Sequence, residues 1–394
     1  MPRVPSVSGN QGEIRRHQSQ DHRPGAQSKK TACGYCGTVH RTFYDRKVRT
    51  VRDLSCGDAR IYLEVEVRRV DCMKCGKVKT EHLSWLSGNP FYTKRLAFHA
   101  GRRFRASSIK DVAKELHLDW KTVKDLDKQH MQEQLKRAGK PKPKIIGVDE
   151  IAVRKGHVYR IVVSDLEKRR SIWFGGLDRS EDSMDLFYQE IGEKQAKKIR
   201  LAVMDMWKAF EKSTRKNAPQ AAILYDKFHV MKHLGEAIDQ VRKEEYARLS
   251  GQNRKYIKGQ KFILLSNREN LDSEGKASLK TLLKANKRLN TAYVLKEFFG
   301  QLWGYQTEGW ARKFFDNWKN SLKWQKLRPY EKFAELVERH WDGIAAYSKP
   351  ENKVSLGFVE GLNNKIRVIQ KKSYGLRDEE YLRLKILTSM LKEI

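Results

Sequence analysis

The sequence predicts an α/β protein of several domains, and three observations support this prediction. Residues 144–226 alternate between short β-branched or aromatic runs and helix-forming segments, a pattern typical of a mixed sheet covered by helices. Two Cys-x-x-Cys-Gly motifs lie near the N-terminus, and residues 230–349 are dominated by helix-forming Lys, Glu, Leu and Ala. At 394 residues, the chain is long enough to form two or more separate cores.

The charge of the chain indicates a polyanionic partner. There are 81 lysines and arginines against 48 acids, and cations occur in every segment, for a formal net charge of +33. Nucleic acid is the expected partner of such a chain. The charge fits a DNA-binding protein and, as the simpler alternative, a general RNA-binding protein. No stretch approaches the roughly 18 apolar residues of a spanning helix, and no apolar signal-peptide core follows the N-terminus. We therefore expect an intracellular, cytoplasmic protein without a membrane partner.

All five cysteines lie between residues 33 and 75, and four of them form two metal-binding motifs. Glycine follows the second cysteine of each motif, which allows the tight turn that a tetrahedral four-thiolate zinc site requires. The residues between the motifs alternate in polarity, so residues 31–82 are predicted to form a zinc ribbon. Cys56 and His40 are more simply explained as ordinary ribbon residues than as ligands. The predicted zinc ligands are Cys33, Cys36, Cys72 and Cys75.

The segments on either side of the ribbon differ in character. Residues 1–30 are polar and basic without an apolar period, so we predict a disordered basic arm. Residues 90–138 contain three helix candidates, the second opened by a Ser-x-x-Asp capping pattern at Ser108. A short link before Asp119 gives the spacing of a helix-turn-helix, and we favour a DNA-reading role over simple three-helix packing because the chain is so basic. Its second helix would present Trp120, Lys121, Thr122 and Lys124 to a major groove.

The prolines of residues 141–143 mark a linker into the largest domain. Beyond it, three hairpin-like strands are followed by helix, strand, helix and strand, the order expected of a ribonuclease-H-like mixed sheet. Functional acids in such sheets lie at or near strand ends. More acids lie near the predicted strand ends than the roughly three that a catalytic site of this kind needs. Glu150 is the weakest candidate, because its side chain points to the opposite strand face from that of Asp149. These acids are Asp149, Glu150, Asp165, Asp205 and Asp226.

A further acid lies near the C-terminus, at Glu360. If it begins a helical turn, Asn363, Asn364 and Arg367 share its face, while Leu362, Ile366 and Ile369 form a separate apolar stripe. From the pattern alone, Asp226 competes with Glu360 as a third ligand beside Asp149 and Asp205. Carboxylates in this arrangement suit two Mg²⁺ ions, which prefer oxygen ligands.

Five of the nine tryptophans lie within the helix-forming segment, and we interpret them as aromatic anchors of a helical core in preference to base-stacking residues. A basic cluster near the start of the segment is interpreted as a solvated surface, and its functional alternative is binding of flanking DNA. The tryptophans are Trp303, Trp310, Trp318, Trp324 and Trp341, and the cations are Arg254, Lys255, Lys258 and Lys261.

Several motifs occur together in one order. They are the paired cysteine motifs, Gly147-Val148-Asp149-Glu150, Asp205-Met206-Trp207, Tyr225-Asp226-Lys227-Phe228-His229-Val230 and Val359-Glu360-Gly361-Leu362-Asn363-Asn364-Lys365-Ile366-Arg367. From Cys33 to the C-terminus, the chain thereby resembles the ISL-three family of bacterial insertion-sequence transposases. The resemblance implies a zinc ribbon, a helix-turn-helix and a DDE catalytic domain of ribonuclease-H-like fold with a helical insertion before its final glutamate.

The resemblance also implies roles for individual residues. Asp149, Asp205 and Glu360 would be the catalytic triad holding two Mg²⁺ or Mn²⁺ ions, with Asp226 and His229 beside it. Asn364 and Arg367 would support the site, while Lys365, Lys371 and Lys372 would hold DNA phosphates. The implied domains are 1–30, 31–82, 90–138, 144–235 with 351–394 as the two parts of the catalytic domain, and 236–350 as the insertion.

The implied function is Mg²⁺-dependent DNA strand cleavage and strand transfer by a nucleoid-associated bacterial protein. Its partners would be the terminal inverted repeats, target DNA and further copies of the chain in a homodimer or higher oligomer. A non-catalytic DNA-binding regulator derived from a transposase is the main alternative, and a structure-specific nuclease is a third. A regulator would bind DNA without nicking it.

Overall fold

The computed structural model describes residues 30–154, 158–354, 357–372 and 378–391, together with the backbone of residues 13–17. The chain divides into two compact units. One unit comprises Met1–Gly139 with Val368–Ile394, and the other comprises Lys140–Arg367.

The N-terminal unit opens with a small β-structure built around two long antiparallel strands. Alternate residues of the central strand are buried from Ile61 to Val67, as its alternating sequence predicts. The first strand runs parallel to this central strand and lies in the arm that we predicted to be disordered, so that prediction does not hold for Glu13–His17. Apart from Lys30, the remainder of the arm lies outside the described residues. The strands are β1 (Glu13–His17), β2 (Thr31–Ala32), β3 (Val39–His40), β4 (Asp45–Cys56), β5 (Ala59–Cys72) and β6 (Lys77–Thr80).

Three helices follow: α1 (Lys94–Ala106), α2 (Ile109–Leu116) and α3 (Trp120–Ala138). The Ser108 and Asp119 side chains accept hydrogen bonds from first-turn amides of α2 and α3, which satisfies otherwise unpaired helix donors. Between these two helices, His117 adopts a left-handed conformation with φ of 52°, which turns the chain sharply. The three helices share a core that includes Leu96, Val112 and Val123.

The second unit is organised on a five-stranded mixed sheet. Its spatial order is β11-β10-β7-β8-β9, in which β10 runs parallel to β7 and β11, while β8 runs antiparallel to β7 and β9. The predicted order of strands and helices in residues 144–226 is therefore confirmed. The elements are β7 (Ile145–Arg154), β8 (Val158–Asp165), β9 (Arg170–Gly175), α4 (Glu181–Ile191), α5 (Glu193–Ala196), β10 (Leu201–Met204), α6 (Lys208–Asn217) and β11 (Ala222–Tyr225).

The helix-forming segment is helical and shares one continuous core with the sheet. The predicted boundary between residues 235 and 236 falls inside α7, because this helix runs from the sheet directly into the helical region. The helices are α7 (Lys227–Arg248), α8 (Gly251–Gly259), α9 (Lys261–Leu265), α10 (Ser273–Ala285), α11 (Lys287–Phe299), α12 (Glu308–Ser321), α13 (Arg328–Arg339) and α14 (Trp341–Ala345).

The tryptophans of this region divide into two groups. Trp303 and Trp318 are buried, and Trp341 packs against the same core, as predicted for aromatic anchors. Trp310 and Trp324 are 61% and 87% exposed, so the core interpretation does not apply to them.

Two helices complete the chain: α15 (Gly357–Lys372) and α16 (Glu379–Thr388). We predicted that residues 351–394 belong wholly to the catalytic domain, but Val368–Ile394 group with the N-terminal unit. The reason is the packing of α16 on α3, where the buried Asp127 accepts a hydrogen bond from the Tyr381 hydroxyl and lies 2.6 Å from the Lys385 ammonium. Among the described residues, no helix combines the length and apolar character needed to cross a membrane.

Candidate functional site

Three aspartates follow aligned positions on neighbouring strands of the mixed sheet. Met204 of β10 pairs with Val148 of β7 on one side and with Tyr225 of β11 on the other. Asp149, Asp205 and Asp226 are the next residues in each segment. Because these three segments run parallel, their carboxylates lie along the same edge of the sheet.

The carboxylates of Asp149 and Asp205 are held in the same way. Asp149 Oδ1 accepts a hydrogen bond of 2.8 Å from the backbone amide of Glu150, and Asp205 Oδ1 accepts one of 2.6 Å from the amide of Met206. Each side chain is therefore anchored through one oxygen by the next residue. The second oxygen, Oδ2, lies near Asn363 in the case of Asp149 and near His229 in the case of Asp205.

Asn363 of α15 donates a hydrogen bond to Asp149 Oδ2. Its own amide oxygen is buried without a partner among the described residues. Glu360 lies one helical turn before Asn363, is exposed, and lines with Asp149 and Asn363 a cavity of about 790 Å³. Leu362 and Ile366 are buried on the other side of the helix, as the predicted two-faced pattern requires.

Asp226 and His229 complete the same region. Asp226 caps α7 by accepting a hydrogen bond of 2.8 Å from the amide of Phe228. His229 Nδ1 lies 3.6 Å from Asp226 Oδ2, and its Nε2 lies 4.0 Å from Asp205 Oδ2. The Asp226 carboxylate raises the pKa of His229 above its usual value against the opposing effect of burial, and the charges of Asp205 and Asp149 add to this shift.

The electrostatics of Asp149 differ from those of an ordinary surface acid. Burial raises the pKa of Asp149, and the neighbouring charge of Asp205 adds to the effect. Among the described residues, no lysine or arginine forms a salt bridge with Asp149, Asp205 or Glu360. His229 lies 4.0 Å from Asp205, and among the described residues Lys227 and Arg367 line the cavity without an ion pair to these acids.

Two other candidate acids have structural partners. Glu150 lies 3.1 Å from the Arg179 guanidinium, and burial raises its pKa. Asp165 is buried and accepts hydrogen bonds from the amides of Glu167 and Lys168, so it stabilises the turn after β8. Asp165, one of the five strand-end candidates, thus has a structural role in this turn.

The acids of this edge are not gathered tightly. Within the part of the chain that the structure describes, only the four cysteines bring three or more potential ligand atoms within 4.8 Å of one another. Asp149, Asp205 and Glu360 are close in the fold but are not assembled around one point.

The four predicted zinc ligands do come together. Cys33 Sγ lies 4.0 Å from Cys75 Sγ, and Cys36 Sγ lies 3.5 Å from Cys72 Sγ. A tetrahedron with Zn–S bonds of about 2.3 Å has edges of about 3.8 Å, so this spacing fits zinc. Hydrogen bonds with the Thr38 side chain and backbone lower the pKa of Cys36 to about 6, which favours the thiolate that zinc binds. Cys56 is exposed, and neither it nor His40 belongs to this cluster.

The predicted DNA-contacting residues vary in accessibility. Trp120 and Lys121 are exposed at the start of α3, and Thr122 is half-buried. Lys124 is also half-buried, and its ammonium lies 2.7 Å from Asp378. Lys365, Lys371 and Lys372 of α15 are exposed. Arg367 donates a hydrogen bond of 3.0 Å to Asn364 and lines the cavity beside Glu360.

Of the predicted basic cluster in the helical region, Arg254 packs over the Tyr246 ring at 4.5 Å, and the Lys261 ammonium lies 4.0 Å from Asp239. Lys258 is exposed, and the side chain of Lys255 lies outside the described residues.

Two features of the site could not be read from the sequence pattern in advance. One is the hydrogen bond from Asn363 to Asp149, although the position of Asn363 on the Glu360 face was a signal for it. The other is the packing of Arg179 against Trp207, a residue that follows Asp205 by two positions. No local pattern marks Arg179, because its partners come from three separate segments.

Comparisons with known proteins agree with this architecture. Residues 146–386 match the ISL3 model that is described as a transposase, and residues 29–75 match a model described as the zinc finger of IS204, IS1001, IS1096 and IS1165 transposases. The chain is 35% identical over 362 residues to the transposase for insertion sequence element IS1001 of Bordetella parapertussis, covering 91% of this chain and 88% of that protein. It is 25% identical over 377 residues to the transposase for IS1557 of Mycobacterium tuberculosis, covering 89% and 83%.

Proposed function

The chain belongs to the ISL3 family of insertion-sequence transposases, and from this premise we propose that it cleaves DNA at the ends of its element and joins them to a target. A water molecule would attack a phosphodiester at the element end and expose a 3′-hydroxyl. This hydroxyl would then attack a phosphodiester of target DNA. Neither step requires a covalent enzyme intermediate.

One observation carries this proposal. Asp149 and Asp205 follow paired positions of adjacent parallel strands, and Glu360 lines a cavity together with Asp149. The order of strands around them supports a ribonuclease-H-like catalytic domain. Carboxylates that converge at a strand edge without lysine or arginine partners are suited to cations and to the chemistry of phosphates.

The residues of the site fit Mg²⁺. The donors are carboxylate oxygens, and the unpaired amide oxygen of Asn363 adds a neutral oxygen beside Asp149. Asp149, Asp205 and Glu360 would hold the ions through their carboxylate oxygens. When bound, such ions lower the pKa of the attacking water and stabilise the leaving oxygen.

The protein contributes orientation to this reaction. The amides of Glu150 and Met206 fix one oxygen of Asp149 and of Asp205, and the Asn363 side chain fixes the second oxygen of Asp149. Side chains held in this way lose little freedom when substrate binds. His229, whose pKa is raised by the Asp226 carboxylate, lies beside Asp205, and Arg367 lies at the cavity where a phosphate would approach.

DNA recognition is proposed to lie in the N-terminal unit. The ribbon has its four zinc ligands in place, and α2 with α3 supports a helix-turn-helix whose second helix begins with the exposed Trp120 and Lys121. Terminal inverted repeats are the proposed sequence-specific ligand, and Lys365, Lys371 and Lys372 would hold phosphates of the same DNA. Because an element has two ends, we also propose that two or more copies of the chain act together.

The test uses a labelled duplex carrying the inverted repeats found in DNA that flanks the gene. With Mg²⁺, Asp149→Asn, Asp205→Asn and Glu360→Gln are each expected to lower strand cleavage by at least about a thousandfold, since each removes a charged ligand. Repeat binding, measured by fluorescence anisotropy, should stay largely intact. Glu351→Gln is the control, because Glu351 is an exposed acid that does not line the cavity.

Cleavage retained by one variant would remove that residue from the triad. Specific binding without cleavage by the unmodified protein would instead identify a regulator, the main alternative function.

A further inference from the structure

A cluster of interacting side chains lies beside the two central aspartates. Arg179, in the turn before α4, contacts Glu150, which follows Asp149, through an ion pair of 3.1 Å. Its guanidinium carbon is 4.4 Å from the centre of the Tyr159 ring and 4.5 Å from the Trp207 ring. The Trp207 indole N–H donates a hydrogen bond of 2.8 Å to the backbone oxygen of Arg179.

These contacts hold the Trp207 ring in one orientation. A guanidinium placed over an aromatic face is attracted by the ring electrons, and the hydrogen bond fixes rotation of the indole. Trp207 nevertheless remains 40% exposed. An aromatic surface that is rigid before binding loses little conformational entropy when a flat ligand packs on it.

Single exposed apolar residues are common on proteins, so exposure alone means little. Trp324 is 87% exposed, more than Trp207, but it lies far along the chain from the aspartates. Trp207 differs because it is fixed by Arg179 and because it follows Asp205 by only two residues. Its position and its rigidity, taken together, indicate a ligand.

We propose, on the basis of the proposed function, that the exposed part of the Trp207 ring stacks on an unpaired base next to the phosphate that is cleaved. Two residues span at most about 7 Å, and successive nucleotides of a strand are about 3.4 Å apart along the helix axis. A phosphate held at Asp205 therefore brings neighbouring bases within reach of the indole. Only a base released from its pair and its stack exposes a face to a side chain.

In this arrangement Trp207 contacts DNA, and Arg179 is a positioning residue that acts through Trp207. Glu150 in turn holds Arg179, which gives a role to an acid that the triad leaves unused. Stacking does not depend on base identity, because every base has an aromatic face. The ligand class is thus an unpaired DNA base of any sequence.

Photochemical crosslinking tests this proposal with the full-length protein. The probe is the repeat duplex described above, nicked at the cleavage position and carrying 5-iodouracil at the nucleotides on both sides of the nick. Irradiation without divalent metal, followed by mass spectrometry of peptides, is expected to map the crosslink to Trp207. Trp207→Ala should remove this crosslink and weaken binding of the nicked probe about fivefold or more.

Three variants separate stacking from general damage. Trp324→Ala should leave the crosslink in place, and Trp207→Phe should retain much of the affinity because a ring remains. Asp149→Asn should crosslink normally, so a failure of catalysis is distinguishable from a failure of stacking. A crosslink that maps to Trp310, Trp324 or the ribbon, or an unchanged affinity of Trp207→Ala, would overturn the proposal.

Discussion

The four cysteines of the ribbon and the three acids of the mixed sheet are both potential metal ligands, but the fold treats them differently. The cysteine sulfurs lie within 4.8 Å of one another, with the Cys33 and Cys72 side chains buried. Asp149, Asp205 and Glu360 are not gathered to that degree, and Glu360 is exposed. One site is assembled by the chain itself, while the other leaves room between its carboxylates.

The difference has a physical origin in charge and connectivity. Each cysteine pair is held by a short turn, which brings its two sulfurs close together. The acids come from distant segments and repel each other when ionised, which favours an open spacing. We infer that the cysteine site serves the fold and that the acid site serves chemistry.

The largest effect is expected at the cysteine site. Cys72→Ser should remove the zinc, lower the thermal stability of the N-terminal unit and abolish repeat binding, because small metal-bound folds depend on their metal. Zinc content should fall from about one ion per chain to near zero. Elemental analysis, thermal denaturation and anisotropy measure the three changes.

The exposed Cys56 supplies the matched control. Cys56→Ser should leave zinc content and melting temperature unchanged, since this thiol lies outside the cluster. If Cys72→Ser kept full zinc content and repeat binding, the contrast between a structural and a chemical metal site would be lost.

At the acid site, removal of a carboxylate is expected to increase the stability of the protein, whereas removal of a cysteine ligand decreases it. Asp149→Asn should abolish cleavage yet raise the unfolding free energy of the metal-free protein at neutral pH, by about 0.5 to 2 kcal/mol. The variant removes a half-buried charge, and once the Asn363 amide turns over, its oxygen can accept a hydrogen bond from the new amide N–H. Denaturant unfolding in the presence of a chelator measures the change.

The same variant should reveal a pH dependence with a defined sign. Because the folded protein raises the pKa of Asp149, the neutral carboxyl is favoured in the fold, and stability is lost as pH rises from the unfolded value of about 3.9 through the folded value. The advantage of Asp149→Asn should therefore be present at pH 7 and should vanish below about pH 4. A gain that grew as the pH fell would contradict the assignment of burial as the cause.

Much of this architecture could be predicted from local patterns. The strands of residues 144–226 are short apolar runs bounded by turns, and the two cysteine motifs carry their own turn geometry. Burial of Leu362 and Ile366 followed from helical spacing. Local pattern alone did not decide between Asp226 and Glu360, because each is a plausible acid in its own segment.

The remaining features depend on residues far apart in the sequence. The grouping of Val368–Ile394 with the N-terminal unit rests on contacts of α16 with α3, such as that of Tyr381 with Asp127. The packing of Arg179 on Trp207 likewise joins separate segments. Hydrophobic periodicity contains no information on such pairings, so a sequence pattern could not have identified them.

The smallest predicted effect concerns charges that, unlike those of the acid site, are neutralised within the fold. Asp378 lies 2.7 Å from the Lys124 ammonium and 3.0 Å from that of Lys128. Asp378→Asn should lower the unfolding free energy by less than about 1 kcal/mol, because the pairs are partly exposed and asparagine keeps the cap of α16. Release of the lysines should strengthen DNA binding about two- to fivefold.

The salt dependence of binding distinguishes direct phosphate contact from a general charge effect. If Lys124 and Lys128 are freed to contact phosphates, the slope of log affinity against log salt should steepen by up to about one for each lysine. Glu380→Gln is the control, since Glu380 lies 2.8 Å from Lys128 and does not pair with Lys124 in the described structure. It should produce a smaller increase, whereas an equal slope in the unmodified protein and Asp378→Asn would show that neither lysine reaches DNA. In that case the charge balance of α3 would serve packing with α16, as the zinc serves the ribbon, and DNA contact by this helix would rest on its first turn.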